Sequence, residues 1–147
     1  MIIVSACLLG RNCKYDGGNN GNEAVKELVR GCEVLAVCPE TAAALPAPRE
    51  PSERRGDRIV SRDGKDLTDA FRKGAEACFA RVMERRNEIE FAVLKANSPS
   101  CGSGRIYDGT FTGRLVPGSG VFAEMLEEEG VPVYTEADAE NGVPENE

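Results

Sequence analysis

Histidine is absent from the chain, and that gap removes Ser-His-Asp and Cys-His catalysis along with every imidazole-ligated metal. Tryptophan is absent too, and aromatic residues make up only 5%, so an array of stacking platforms for single-stranded nucleic acid is not expected. No apolar run approaches the ~20 residues of a membrane span. The opening stretch MIIVSACLLG is apolar but short, with no basic flank and no small-residue cleavage site at a workable distance. Basic charge is in deficit, and the resulting net charge of −7 repels an extended phosphate backbone at long range. The expectation is a cytoplasmic protein with neither a membrane nor an extended nucleic acid as partner. A small anionic ligand is compatible with this, because a local arginine cluster overrides the global field. A homo-oligomer is compatible as well.

What is present is enough for a core. Hydrophobic residues are 41% of 147, which supports one domain and is too short a chain for two. Six cysteines in a reducing compartment do not read as a disulfide framework, so thiolate ligation or core packing must explain them.

Apolar runs predict strands over 2–6, 33–37, 90–95 and 131–134. Helical spacing predicts helices over about 23–30, 69–87 and 119–129, capped by Asn22, Thr68 and Ser119 and, for the first and last, stopped by Gly31 and Gly130. Asp16-Gly17 is a turn signal, and Asp63-Gly64 and Asp108-Gly109 read as hairpin turns. The Pro-rich, charged segment 45–66 reads as an exposed excursion, with Arg54-Arg55 as solvated loop. The acidic tail from Thr135 is expected to fray, giving a domain over 1–136 and a tail over 137–147. Strands alternating with helices predict a single-domain α/β fold with an open, mainly parallel sheet and flanking helices.

In such sheets ligands gather beyond the carboxyl ends of the strands. Cys7, Cys38 and Cys101 each follow a predicted strand at that end, so three thiols distant in sequence should meet on one edge. Cys32 sits at the other end of the second strand, roughly 20 Å from Cys38 at about 3.3 Å per residue, and cannot share its metal centre. Cys78 lies on the apolar face of the long helix and reads as core. Cys13, in the loop after Cys7, reads either as a fourth ligand or as a bystander. Thiolates select zinc or an iron–sulfur cluster, and spacing alone does not choose between them. Three ligands instead of four would leave the open position that a catalytic site needs.

Five segments, in order, carry a resemblance: Ser5-Ala6-Cys7-Leu8-Leu9-Gly10, Tyr15-Asp16-Gly17, Cys38-Pro39-Glu40, Leu45-Pro46-Ala47-Pro48-Arg49 and Ser98-Pro99-Ser100-Cys101-Gly102. Together they resemble the thiouracil desulfidase family, long known only as a domain of unknown function, over about residues 2–136. The resemblance implies a 4Fe–4S cluster held by three cysteines, with the fourth iron open to the substrate's sulfur. By motif position those cysteines are Cys7, Cys38 and Cys101. The resemblance gives Cys13 no ligand role. It places a functional acid at Glu40 and a functional serine at Ser98 or Ser100.

The implied reaction is a non-redox desulfidation of a thiolated pyrimidine, such as thiouracil or its nucleoside or nucleotide, to the oxo form with sulfide release. Glu40 is the candidate for activating water, since no histidine is available. Ser98 or Ser100 would orient substrate or water. Asp16 in its turn, Arg49 after its stiff Ala-Pro segment, and Ser119 at a helix start are the candidates for substrate binding. The rival readings are a non-catalytic iron–sulfur protein, a zinc-binding protein using the same cysteines, and a ligand-binding domain without metal.

Overall fold

Short apolar segments ending in turn residues build the molecule, a computed structural model that describes residues 1–46 and 48–142. Ile2–Ser5 forms β1 and runs into a 3-10 turn over Ala6–Leu9. Helix α1 (Glu23–Leu28) leads to β2 (Val34–Val37), and a one-turn helix, α2 (Pro39–Ala42), follows at once. The excursion holds a hairpin of β3 (Ser52–Arg55) and β4 (Arg58–Ser61), after which α3 (Thr68–Glu84) is the long helix. Strand β5 (Phe91–Leu94) precedes a second hairpin, β6 (Arg105–Tyr107) and β7 (Leu115–Pro117). Helix α4 (Val121–Glu128), β8 (Val133–Thr135) and α5 (Glu136–Asn141) follow.

The central sheet has the order β2-β1-β5-β8 with every pairing parallel. The chain therefore moves from β1 to one neighbour, β2, and later returns to the other, β5. The strand order reverses between β1 and β5, and this switch point is where α/β sheets open a crevice at their carboxyl ends. Period-2 alternation sends Ile3, Ala92 and Leu94 into a core with Ala75, Cys78 and Val82 of α3 and Phe122 and Leu126 of α4. Ile2, Val4 and Val93 face the other way, toward Val25 of α1, Val29 at its end and Ala139 of α5. The α/β class, the parallel sheet and the flanking helices agree with the expectation.

The differences are local. Asn22 caps α1 as expected, its Oδ1 accepting the Val25 N–H at 3.0 Å. Thr68, in contrast, is the first helical residue of α3, and its hydroxyl accepts the Ile59 N–H at 2.9 Å. The β3–β4 hairpin turns at Gly56-Asp57, because Arg55 pairs with Arg58. Asp63-Gly64 makes a smaller reversal that returns the chain along β4, with the Ser61 N–H donating to Lys65 O at 2.9 Å. Arg54 is half-buried, bonded to Ser119 O at 2.7 Å and to Glu124 at 2.8 Å. It straps the excursion onto α4 instead of lying in a solvated loop. Over Glu136–Asn141 the chain is helical where fraying was expected: Thr135 and Asp138 form a reciprocal capping box on α5. The last part of the expected acidic tail, 143–147, lies outside the described residues.

Candidate active site

The carboxyl ends of β1, β2 and β5 open onto a cavity of about 490 Å³. Cys7, Cys38 and Cys101 all line it, as do Cys13, Glu40, Ser98 and Ser100. Each thiol has its own local cause. Cys7 leaves β1 in the 3-10 turn that Gly10 closes with φ +95°. Cys38 is the N-cap of α2, its sulfur accepting the Thr41 N–H at 3.5 Å and the Thr41 hydroxyl at 3.2 Å. Cys101 sits in the loop after β5 and is buried against the α4 side of the core.

Helix α2 can lie this close to α3 only because residue 74 is glycine. A Cβ there would fall 1.8 Å from Pro39 O. The same logic holds at Gly120, where a Cβ would come within 2.4 Å of the Ser100 carbonyl carbon. That contact presses the start of α4 onto the Ser98–Gly102 loop. The N–H groups of Gly120, Val121 and Phe122 donate to Gly102, Pro99 and Ser100 carbonyls at 2.7, 2.9 and 2.9 Å.

Cys13 lines the cavity beside these thiols, and its S–H acts on the acidity of Cys7 and Cys38. Its proton holds Cys38 down to about 6, against the opposing effect of burial and with help from Thr41. It likewise holds Cys7 down to about 7, again against burial and with help from Asn20. Cys13 itself is pushed well up, because its proton bonds to Cys38 and Cys7. Cys101 is pushed up by burial, which outweighs hydrogen bonds from Ser5 and Ser100.

The two serines have different positions. Ser98 Oγ accepts the N–H groups of Ser100 and Cys101, each at 3.1 Å, so it builds the loop. Ser100 Oγ lies 3.0 Å from Ser98 Oγ, 3.3 Å from Glu40 Oε2 and 3.7 Å from Cys101 Sγ. It joins the carboxylate to the buried thiol. Glu40 Oε1 receives Arg49 at 2.7 Å, in a pair whose side chains are 9% (Arg49) and 21% (Glu40) exposed.

Three expected substrate contacts lie elsewhere. Arg49 also donates to Pro46 O at 2.9 Å and Cys13 O at 3.4 Å, so its guanidinium is engaged within the protein and does not line the cavity. Asp16 is exposed and accepts the Gly18 N–H at 2.9 Å, the turn role, which holds its carboxyl below the usual range. Ser119 Oγ donates to Glu127, and the helix start it precedes has its N–H groups already bonded to the 98–102 loop. Cys78 is buried on α3 as expected, its thiol pushed up to about 11 by burial, and Cys32 is exposed and remote from the cavity.

The cavity also gathers residues that sequence reasoning did not single out: Asn20, Arg62, Lys95, Asn97, Tyr107 and Phe111. Lys95, read as the last residue of the strand over 90–95, directly follows β5 in the structure. Tyr107 ends β6, and the others come from loops whose paths local pattern does not specify.

The donor set suits a soft, multinuclear group. Among the described residues no three His, Cys, Asp or Glu side chains converge tightly enough to hold one metal ion. A tetrahedral zinc needs all its sulfurs about 2.3 Å from a single point. An iron–sulfur cluster places each thiolate on its own iron, which fits thiols spread over three strand ends of one cavity.

Comparison with known proteins places the chain among proteins of this fold. A solved structure described as a [4Fe-4S]-dependent thiouracil desulfidase, TudS, superposes with a TM-score of 0.86 at 42% identity, covering 95% of this chain and 93% of that one. An uncharacterized protein of Bacillus subtilis (strain 168), YbbK, is 38% identical over 148 aligned positions, 92% of this chain and 95% of that protein. The 2-thiouracil desulfurase model matches residues 2–138, and the chain belongs to that family.

Proposed function

We propose that this chain is an iron–sulfur-dependent desulfidase that converts a thiolated pyrimidine to its oxo form, with Cys7, Cys38 and Cys101 holding a 4Fe–4S cluster. The carrying observation is that these three thiols line one cavity together with a carboxylate, Glu40, and a hydroxyl bonded to it, Ser100. When bound, the cluster supplies a soft Lewis-acidic iron for the thiocarbonyl sulfur. The chain's own residues then handle water and protons. Glu40 Oε2 accepts a proton from the attacking water while Arg49 holds Oε1 in place. Ser100, bonded to the same oxygen, orients that water. Water and thiocarbonyl give carbonyl and hydrogen sulfide, so no electron donor is required.

The reading extends to nucleosides and nucleotides. Arg49 is engaged elsewhere, so a phosphate would meet Lys14 or Arg62, two of the cations that line the cavity. Six free cysteines fit a reducing compartment, the cytoplasm. Among the described residues no helix is long and apolar enough to cross a membrane.

Oxygen-free protein loaded with iron and sulfide tests the proposal. Each thiouracil consumed should yield one oxo product and one sulfide, and Glu40→Ala should retain the brown cluster while losing turnover. A colourless, zinc-containing protein, or a loaded protein inert toward thiopyrimidines, would overturn it. One observation favours a second reading, a four-thiolate carrier: Cys13 lines the same cavity as Cys7, Cys38 and Cys101. In that case Cys13→Ser would impair cluster loading as severely as Cys101→Ser.

A further inference from the structure

Eight aromatic side chains serve the whole chain, and three of them, Tyr15, Tyr107 and Phe111, line the cavity. Phe111 differs from the other two in how it is held. Its backbone has φ +59°, a left-handed conformation that side chains other than glycine, asparagine and aspartate rarely adopt. Such strain persists only where the surroundings over-determine it.

Here they do. Glu53 Oε1 accepts the N–H groups of both Gly109 and Phe111, at 3.0 and 3.1 Å. Arg55 donates to Gly109 O at 2.6 Å. Gly109 itself admits this contact only for lack of a Cβ, which would meet Arg55 Cβ at 2.7 Å. The excursion hairpin thus grips the loop after β6 and forces an aromatic residue into a position glycine would fill without strain. The guanidinium of Arg62 lies over the Phe111 ring, 5.8 Å from its centroid, and among the described residues it makes no side-chain hydrogen bond or ion pair. A cation on one face of a ring leaves the opposite face for a ligand.

We propose that Phe111, pinned by Glu53 and backed by Arg62, is the platform on which the substrate's pyrimidine ring stacks. This rests on the desulfidase reading for the identity of the ring, and on the cavity geometry for the rest. A pyrimidine has a π-face whichever position carries sulfur, so the platform sets affinity for the ring and leaves the choice of sulfur to the thiol end of the cavity.

The test compares cluster-loaded wild type with Phe111→Gly, Phe111→Leu and Phe111→Tyr. Stacking of one base on one aromatic ring corresponds to roughly a 5- to 150-fold change in affinity. Phe111→Gly and Phe111→Leu should raise KM for thiouracil by that factor while kcat moves far less, and Phe111→Tyr should restore most of the affinity. Phe111→Gly should not lower Tm, because glycine relieves the strained φ. A ring that merely plugs the fold would lower Tm on removal and leave KM alone, which overturns the proposal. Binding of uracil, followed by saturation transfer from the protein's aromatic protons, separates this from the desulfidase reading. Saturable transfer lost in Phe111→Leu supports the platform even if thiouracil is not turned over. Transfer equal in both proteins, or absent from wild type, sinks it.

Discussion

Replacing Arg49 with methionine separates two roles that one arginine near a cavity can have. The structure ties its guanidinium to Glu40 Oε1, Pro46 O and Cys13 O. A hydrogen bond to a charged group contributes about 1.5–3 kcal/mol and one to a carbonyl about 1. Breaking a fully buried ion pair costs about 3–5 kcal/mol. With Arg49 9% and Glu40 21% exposed, the lower end applies, about 3 kcal/mol, which corresponds to a fall in Tm of roughly 6–12 °C for a chain of this size. The effect on turnover follows from position. Once unpinned, the Glu40 carboxylate is free to leave Ser100, and about 1 Å of misplacement costs on the order of 100-fold in rate. Arg49→Met should therefore lower kcat about 100-fold with little change in KM for free thiouracil. Arg49→Lys keeps the charge but loses the planar fork, and should recover only part of it. Steady-state kinetics on cluster-loaded protein, together with thermal unfolding, read both numbers. Wild-type kcat and Tm, with KM raised only for a phosphorylated substrate, would refute the reasoning and make Arg49 a phosphate receiver.

Three further outcomes follow from the geometry. Gly74→Ala must displace α2, since its Cβ would sit 1.8 Å from Pro39 O; a loss of about 1–3 kcal/mol in denaturant unfolding is expected, accompanied by lower iron content because Cys38 moves with the helix. Ser98→Ala should cost about 2 kcal/mol of stability, having removed the acceptor for two N–H groups, whereas Ser100→Ala should spare stability and lower kcat. In cluster-free protein, iodoacetamide at pH 7 should modify Cys38 and Cys7, held down to about 6 and about 7, well before Cys101. Cys13→Ala removes the thiol that lowers both, so their alkylation should be slower than in wild type at and below about pH 7, and the two proteins should converge above about pH 9, where both thiols are ionised in either.

The strand ends were legible in the sequence because they are local. An apolar run of four or five residues followed by Cys or by loop residues specifies a buried strand and where it stops, and the rule that crevices open at carboxyl ends then brings Cys7, Cys38 and Cys101 together. Cys78 was legible for the same reason, through helical periodicity. Several of the assignments that moved depend on partners in another segment. Arg49 reads as a free cation until Glu40 and the Cys13 carbonyl are seen to occupy it. Ser119 reads as the mouth of an anion site until the 98–102 loop is seen bonded to the α4 N–H groups. Ser98 and Ser100 are two residues apart and alike in type, yet one faces backbone donors and the other a carboxylate sixty residues away. Periodicity encodes which face a residue occupies. Which hydrogen-bonding group it meets there is decided only when separate segments pack, because a polar side chain takes the nearest unsatisfied partner, and for Arg49 and Ser100 that partner, Glu40, comes from a different segment.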